Sequence, residues 1–230
     1  MTRSVDLAPY RALTSHLIDC PPSGEISALK VAFIRRPLAR YLSAFLFTRD
    51  VQKNIASDVT FEQYLKSQSH TIISNFQARH LSPQGDLGFS ASQGWQLRPD
   101  LINLYRDDLM VGTVERFDES LVVFEYRAAL LGLTFDFSYP AALNQASKSA
   151  RQAQSPIDCG EPWLRGMLEL DQNVWDIANQ RLDEAIAMIP DFSHKLCDFS
   201  QRCSALSRNP DASASVIVQP PSRWTYISSP

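Results

Sequence analysis

Leu29-Lys30-Val31-Ala32-Phe33-Ile34-Arg35-Arg36-Pro37-Leu38-Ala39-Arg40-Tyr41-Leu42-Ser43-Ala44-Phe45-Leu46 is the stretch on which the fold turns. Leu29 to Ile34 is a short, nearly unbroken apolar run, which reads as a buried strand. Pro37 stands where a first helical turn opens, a position at which its missing N–H costs nothing. Leu38, Tyr41, Leu42, Phe45 and Leu46 then recur on one face of a helix. A strand feeding directly into a helix argues for an α/β protein.

Working outward, Thr60 to Gln63 has the spacing of a capping box and predicts a short helix. Another helix is expected over 71–80, and a loop over 81–99. Residues 101–105 read as helical, and Leu109 to Val114 as a second buried strand. A helix over 118–131 follows, with Gly132 as its stop. Residues 134–161 carry little periodicity and read as loop. The clearest periodic pattern is Val174, Ile177, Ala178, Leu182, Ala185, Ile186 and Ile189, closed by Pro190. A last helix is expected over 191–204. Only two strands are convincing. Residues 1–205 are taken as one domain, and the Ser- and Pro-rich stretch 206–230 as a flexible tail.

The chain has 230 residues and 25.9 kDa. That is one domain's worth of chain and enough to bury a core. Lys plus Arg number 22 and Asp plus Glu 25, giving a net charge of −3. A general electrostatic grip on nucleic acid is not expected. Four cysteines at 20, 159, 197 and 203 form no CxxC pair, and the four histidines at 16, 70, 80 and 194 do not complete zinc-ligand spacing. No metal is expected. A bridge between Cys197 and Cys203 fits the spacing, but reduced thiols in a cytoplasmic protein are the reading adopted. No run of 18 apolar residues suggests a membrane span, and the N-terminus lacks the apolar core of a secretion signal.

Charge is concentrated at one place. Six basic residues and one acid lie between Lys30 and Lys53, a local charge of +5 that leaves −8 for the remainder. Arg35, Arg36 and Arg40 cluster at the strand-to-helix turn. A helix N-terminus carries free N–H groups and partial positive charge, so arginine there is unfavourable unless an anion is present. Arginine also has the fork geometry for phosphate oxygens. Ser43, three residues past Arg40, adds a hydroxyl donor on a neighbouring surface. Together these point to a phosphate or sulfate site at the end of a strand. The competing reading pairs the arginines with acids such as Glu115 or Asp118.

The segment from Arg35 to Phe45 resembles the 3′-phosphate-binding motif of carbohydrate-type, PAPS-dependent sulfotransferases (sulfotransferase family 2-like), roughly R-D-P-x-x-R-x-x-S-x-Y. Its fixed positions would arise by chance in about one per thousand chains of this length. Phe61 to Leu65 and Asn75 to Arg79 resemble helices that follow in the family. Val111-Gly112-Thr113-Val114-Glu115-Arg116-Phe117-Asp118-Glu119-Ser120 is similar to a V-G-x-x-E-R-F-D-E-S segment. Leu143, Asn144 and Lys148 resemble a short basic loop beyond it.

The resemblance, over roughly residues 14–200, implies an α/β, P-loop-like sulfotransferase fold, helix-rich, with an N-terminally incomplete parallel sheet. It implies transfer of a sulfuryl group from 3′-phosphoadenosine 5′-phosphosulfate (PAPS) to a hydroxyl, carbohydrate-type acceptor, without a metal. Arg35 and Ser43 match the holders of the 3′-phosphate, and Arg40 the arginine expected to brace the turn. Arg36 departs from the pattern's Asp. His16, 19 residues before Arg35, matches the place of a catalytic base, for which an imidazole of ordinary pKa about 6.5 is suited. The alternative for His16 is a surface histidine near the terminus. For Glu115 and Arg116 the simplest expectation is an ion pair tying sheet to helix.

The family's Gly/Ser/Thr-rich loop for the 5′-phosphosulfate has no counterpart before Arg35. The expectation is therefore a fragment, a misplaced start or a degenerate relative. Loss of one oxyanion contact costs roughly 10²–10³ in rate, so this chain is expected to transfer sulfate very poorly or not at all. The alternative is a non-catalytic nucleotide- or glycan-binding relative.

Overall fold

The computed structural model describes residues 30–68, 74–81, 89–90, 94–95, 109–140 and 161–208. The central element is a parallel pair, β1 (Lys30–Ile34) and β4 (Leu109–Thr113), in register from Lys30 opposite Leu109 to Ile34 opposite Thr113. Both strands were legible as apolar runs, and every residue of β4 is buried. Between them lie α1 (Pro37–Leu46), α2 (Phe61–Gln68), α3 (Phe76–His80) and a two-residue antiparallel ladder of β2 (Phe89–Ser90) with β3 (Gly94–Trp95). That ladder falls where the sequence predicts loop. After β4 come a 3-10 turn (Val114–Arg116), α4 (Phe117–Leu130), α5 (Pro162–Ala187) and α6 (Phe192–Arg208).

The period of the strands sorts the core into layers. On one face Ile34, Leu109 and Val111 meet Val174 and Ala178 of α5. On the other, Phe33 and Met110 meet Leu121 and Phe124 of α4 and Phe199 of α6. A third cluster joins Tyr41, Phe45 and Leu46 of α1 to Phe61, Tyr64 and Leu65 of α2 and to Leu164 and Met167 of α5. α5 thus runs through all three clusters, since Leu182 lies in the α4–α6 layer.

The local signals act as expected at several ends. Thr60 and Gln63 close a reciprocal capping box: Gln63 N donates to Thr60 Oγ1 at 3.2 Å and Thr60 N to Gln63 Oε1 at 2.8 Å. Gly132 takes φ +74°, and the amides of Gly132 and Leu133 return to the carbonyls of Ala129 and Ala128, ending α4 in a Schellman motif. α1 does not simply stop. It widens into a π-helical turn (Phe47–Val51), with Gln52 N donating to Phe47 O.

Two expectations are corrected. The clearest helix begins twelve residues earlier than its apolar pattern, at Pro162. Its buried positions include Leu164, Met167, Asp171 and Val174, so a carboxylate interrupts the stripe where an apolar residue is expected. The last helix runs to Arg208, three residues into the stretch read as tail. Cys197 and Cys203 are free thiols, in line with the reduced state read from the sequence. The helix expected over 101–105, most of the 134–161 loop, His16 and Lys148 lie outside the described residues. No helix among the described residues is long and apolar enough to cross a membrane.

Candidate functional site

The parallel register brings the ends of β1 and β4 to one edge, so Arg35 and Arg36 leave the sheet beside Val114 and Glu115. Arg36 is the N-cap residue of α1 and Pro37 its first helical residue. Arg36 offers no side-chain cap. Arg40 N makes the first backbone bond of the helix, to Arg36 O at 2.9 Å. Of the orphan amides, Arg36 N donates to Glu115 Oε1 at 3.0 Å, and Pro37 has none. Leu38 and Ala39 carry the two amides for which no acceptor is found among the described residues.

Glu115 therefore meets the arginine turn through a backbone amide. Its other oxygen, Oε2, accepts from Trp175 Nε1 at 3.0 Å, and the Arg36 guanidinium lies 5.2 Å over the Trp175 ring. Glu115 and Arg116 do not pair with each other. The Arg116 guanidinium instead pairs with Glu119 and, at 2.6 Å, with Asp183 of α5. Asp118 accepts from the Tyr139 hydroxyl at 2.6 Å.

The three expected cofactor residues have different surroundings. Arg35 is half-buried, and its peptide is held at both polar atoms by Gln77. Arg40 turns into the α1–α5 interface. Its guanidinium carbon lies 4.1 Å from the Tyr41 ring centre and 4.7 Å from that of Phe76, and its Nε is 4.0 Å from Asp171 Oδ2. Ser43 is half-buried one helical turn further on.

The residues that sequence reading missed lie beneath the turn. Asp171 is fully buried, and its Oδ1 accepts from Ala78 N at 2.8 Å. Burial pushes its pKa up to about 6, against the opposing pull of the Ala78 and Gln77 groups and of Arg40. Burial likewise pushes the Tyr41 hydroxyl well above its ordinary value, partly opposed by Arg40. Asn75, at φ +49°, donates through Nδ2 to Gly166 O at 3.2 Å and accepts at Oδ1 from Leu170 N at 3.0 Å and Asp171 N at 3.3 Å. Asn75 N donates to Met167 O at 3.1 Å. Those four α5 groups are i, i−4 partners of one another, so Asn75 engages the helix at its own ladder. The sequence signal was slight: a lone Asp in an apolar stripe and an Asn and a Gln two residues apart.

Among the described residues, no group of three or more His, Cys, Asp and Glu is arranged to hold a metal ion. Compared with known proteins, the chain matches no family model, no curated protein and no solved structure.

Proposed function

We propose that the chain is a sulfotransferase-like protein of P-loop-like fold, whose strand-to-helix turn grips the 3′-phosphate of PAPS. Arg35 and Ser43 are the phosphate ligands in this reading, with Arg40 bracing the turn. The acceptor is a hydroxyl, of carbohydrate type, whose oxygen attacks sulfur as the bond from sulfur to the nucleotide phosphate breaks. His16 takes the acceptor's proton.

One observation carries the reading. The common edge of the parallel pair delivers two consecutive arginines to the N-terminus of α1, where the amides of Leu38 and Ala39 have no acceptor among the described residues. Cations at the positive end of a helix dipole are stabilised by a bound anion, and helix N-termini at strand ends are where α/β proteins hold phosphates. The motif at 35–43 supplies the identity of the phosphate.

The second reading is a non-catalytic binder at the same turn; in either reading the Glu115 carboxylate, which accepts from Arg36 N at 3.0 Å, leaves one donor fewer for an incoming anion.

Calorimetric titration with 3′-phosphoadenosine 5′-phosphate tests both. The chain binds, and Arg35→Ala weakens binding about tenfold or more, the loss of a charge-assisted hydrogen bond. A folded wild-type chain that does not bind refutes the sulfotransferase reading and the nucleotide-binding form of the second. Binding without sulfuryl transfer from PAPS selects the second.

A further inference from the structure

Resting on the phosphate-site reading above, we propose that Gln77 is a positioning residue for Arg35, anchored from beneath by Asp171 and Asn75. Arg35 is the first residue past the last paired position of β1 and stands two residues before α1 opens. At such a junction no ladder or helix fixes the peptide. Here a side chain 42 residues away does so. Gln77 Oε1 accepts from Arg35 N at 2.7 Å, and Gln77 Nε2 donates to Arg35 O at 2.8 Å. A carboxamide has one acceptor and two donors, so it can match a peptide's N–H and C=O together. The two bonds restrict both dihedrals that flank the Arg35 Cα, and with them the direction in which its side chain leaves.

Gln77 is itself held. Its residue is buried, and the amide of Ala78 next to it donates to the Asp171 carboxylate at 2.8 Å. Asn75, two residues before Gln77, is stitched to α5 by its amide and by both ends of its side chain. Ser74 adds a hydroxyl contact to Met167 O at 3.4 Å. Hydrogen bonds made inside a buried polar network fix geometry. This one runs from the centre of α5 to a single peptide, that of the leading arginine of the phosphate motif. A bidentate arginine grip loses its geometry when the guanidinium is displaced by about an ångström.

The test uses the full chain with Gln77→Met, which keeps length and apolar packing but removes both bonds, and Gln77→Glu, which keeps an acceptor for Arg35 N. Phe199→Leu, in the α4–α6 layer away from the turn, is the stability control. Two quantities are read: amide hydrogen exchange at Arg35 relative to Met110 in the sheet, and affinity for 3′-phosphoadenosine 5′-phosphate. Gln77→Met is expected to speed Arg35 exchange about tenfold and to weaken the nucleotide about tenfold, with Gln77→Glu between it and wild type. Phe199→Leu lowers the melting temperature and leaves both quantities unchanged. Unchanged Arg35 protection in folded Gln77→Met overturns the proposal, as does equal nucleotide weakening by Phe199→Leu. If wild type binds no nucleotide, the phosphate reading falls, and Arg35 exchange still decides whether Gln77 clamps the peptide.

Discussion

Gly112→Ala places a methyl group where α4 crosses β4. A Cβ at Gly112 would lie 2.5 Å from Ser120 Cβ, 2.7 Å from Ser120 Oγ and 3.1 Å from Phe124 Cζ. Neither neighbour can yield cheaply. Phe124 is fully buried against Phe33, with ring centres 5.4 Å apart. Ser120 Oγ accepts from Thr113 N at 3.0 Å and donates to Arg116 O at 2.8 Å. Relief requires α4 to move by about an ångström, which stretches the Thr113–Ser120 bond. Overpacking costs about 1–3 kcal/mol, and a buried amide losing its acceptor about 1–3 kcal/mol. The two act through one side chain and are not additive, so the expected loss is about 2–4 kcal/mol. For a chain of this size that is a fall of about 5–15 °C in melting temperature. Thermal unfolding followed by circular dichroism reads it. Ser120→Gly removes both clashing atoms, so the double variant should be more stable than the sum of the two single losses by about 1 kcal/mol or more. A Gly112→Ala protein within about 0.5 kcal/mol of wild type, or a strictly additive cycle, would refute the close-approach argument.

Gly166 lies inside α5, and a Cβ there meets nothing within 4 Å. Gly166→Ala keeps the carbonyl that Asn75 uses and should stabilise the chain by about 0.5–1 kcal/mol, read as a higher melting temperature. Asp171 gives a pH signature. Its folded pKa of about 6 lies above the unfolded carboxylate value, so the folded state binds the extra proton between these limits. Its contribution is fully present below about pH 4 and is lost as pH rises through 6, a change on the order of 3 kcal/mol. Stability curves of wild type and Asp171→Asn over pH 4–8 should differ in slope in that sense, and parallel curves would remove Asp171 as the titrating group.

Much of this architecture follows from local chemistry. The apolar runs ending at Ile34 and Val114, Pro37 at a helix start, the Thr60–Gln63 box and Gly132 as a stop each act over a few residues, where period and steric preference are written into the chain itself. The concentration of arginines at 35, 36 and 40 was equally plain, because charge is counted along the sequence. Tertiary structure decided how each arginine is used. Arg40 faces a carboxylate 131 residues away, Arg35 is fixed by a glutamine 42 residues away, and Glu115 serves a backbone amide rather than the neighbouring Arg116. The first turns of α5 were hidden for the same reason. Asp171 looks like a break in an apolar stripe until the turn at 74–78 is packed against it and its carboxylate receives Ala78 N. A buried polar residue takes its meaning from the partners that satisfy it, and those partners are distant in sequence and close only once the chain has folded.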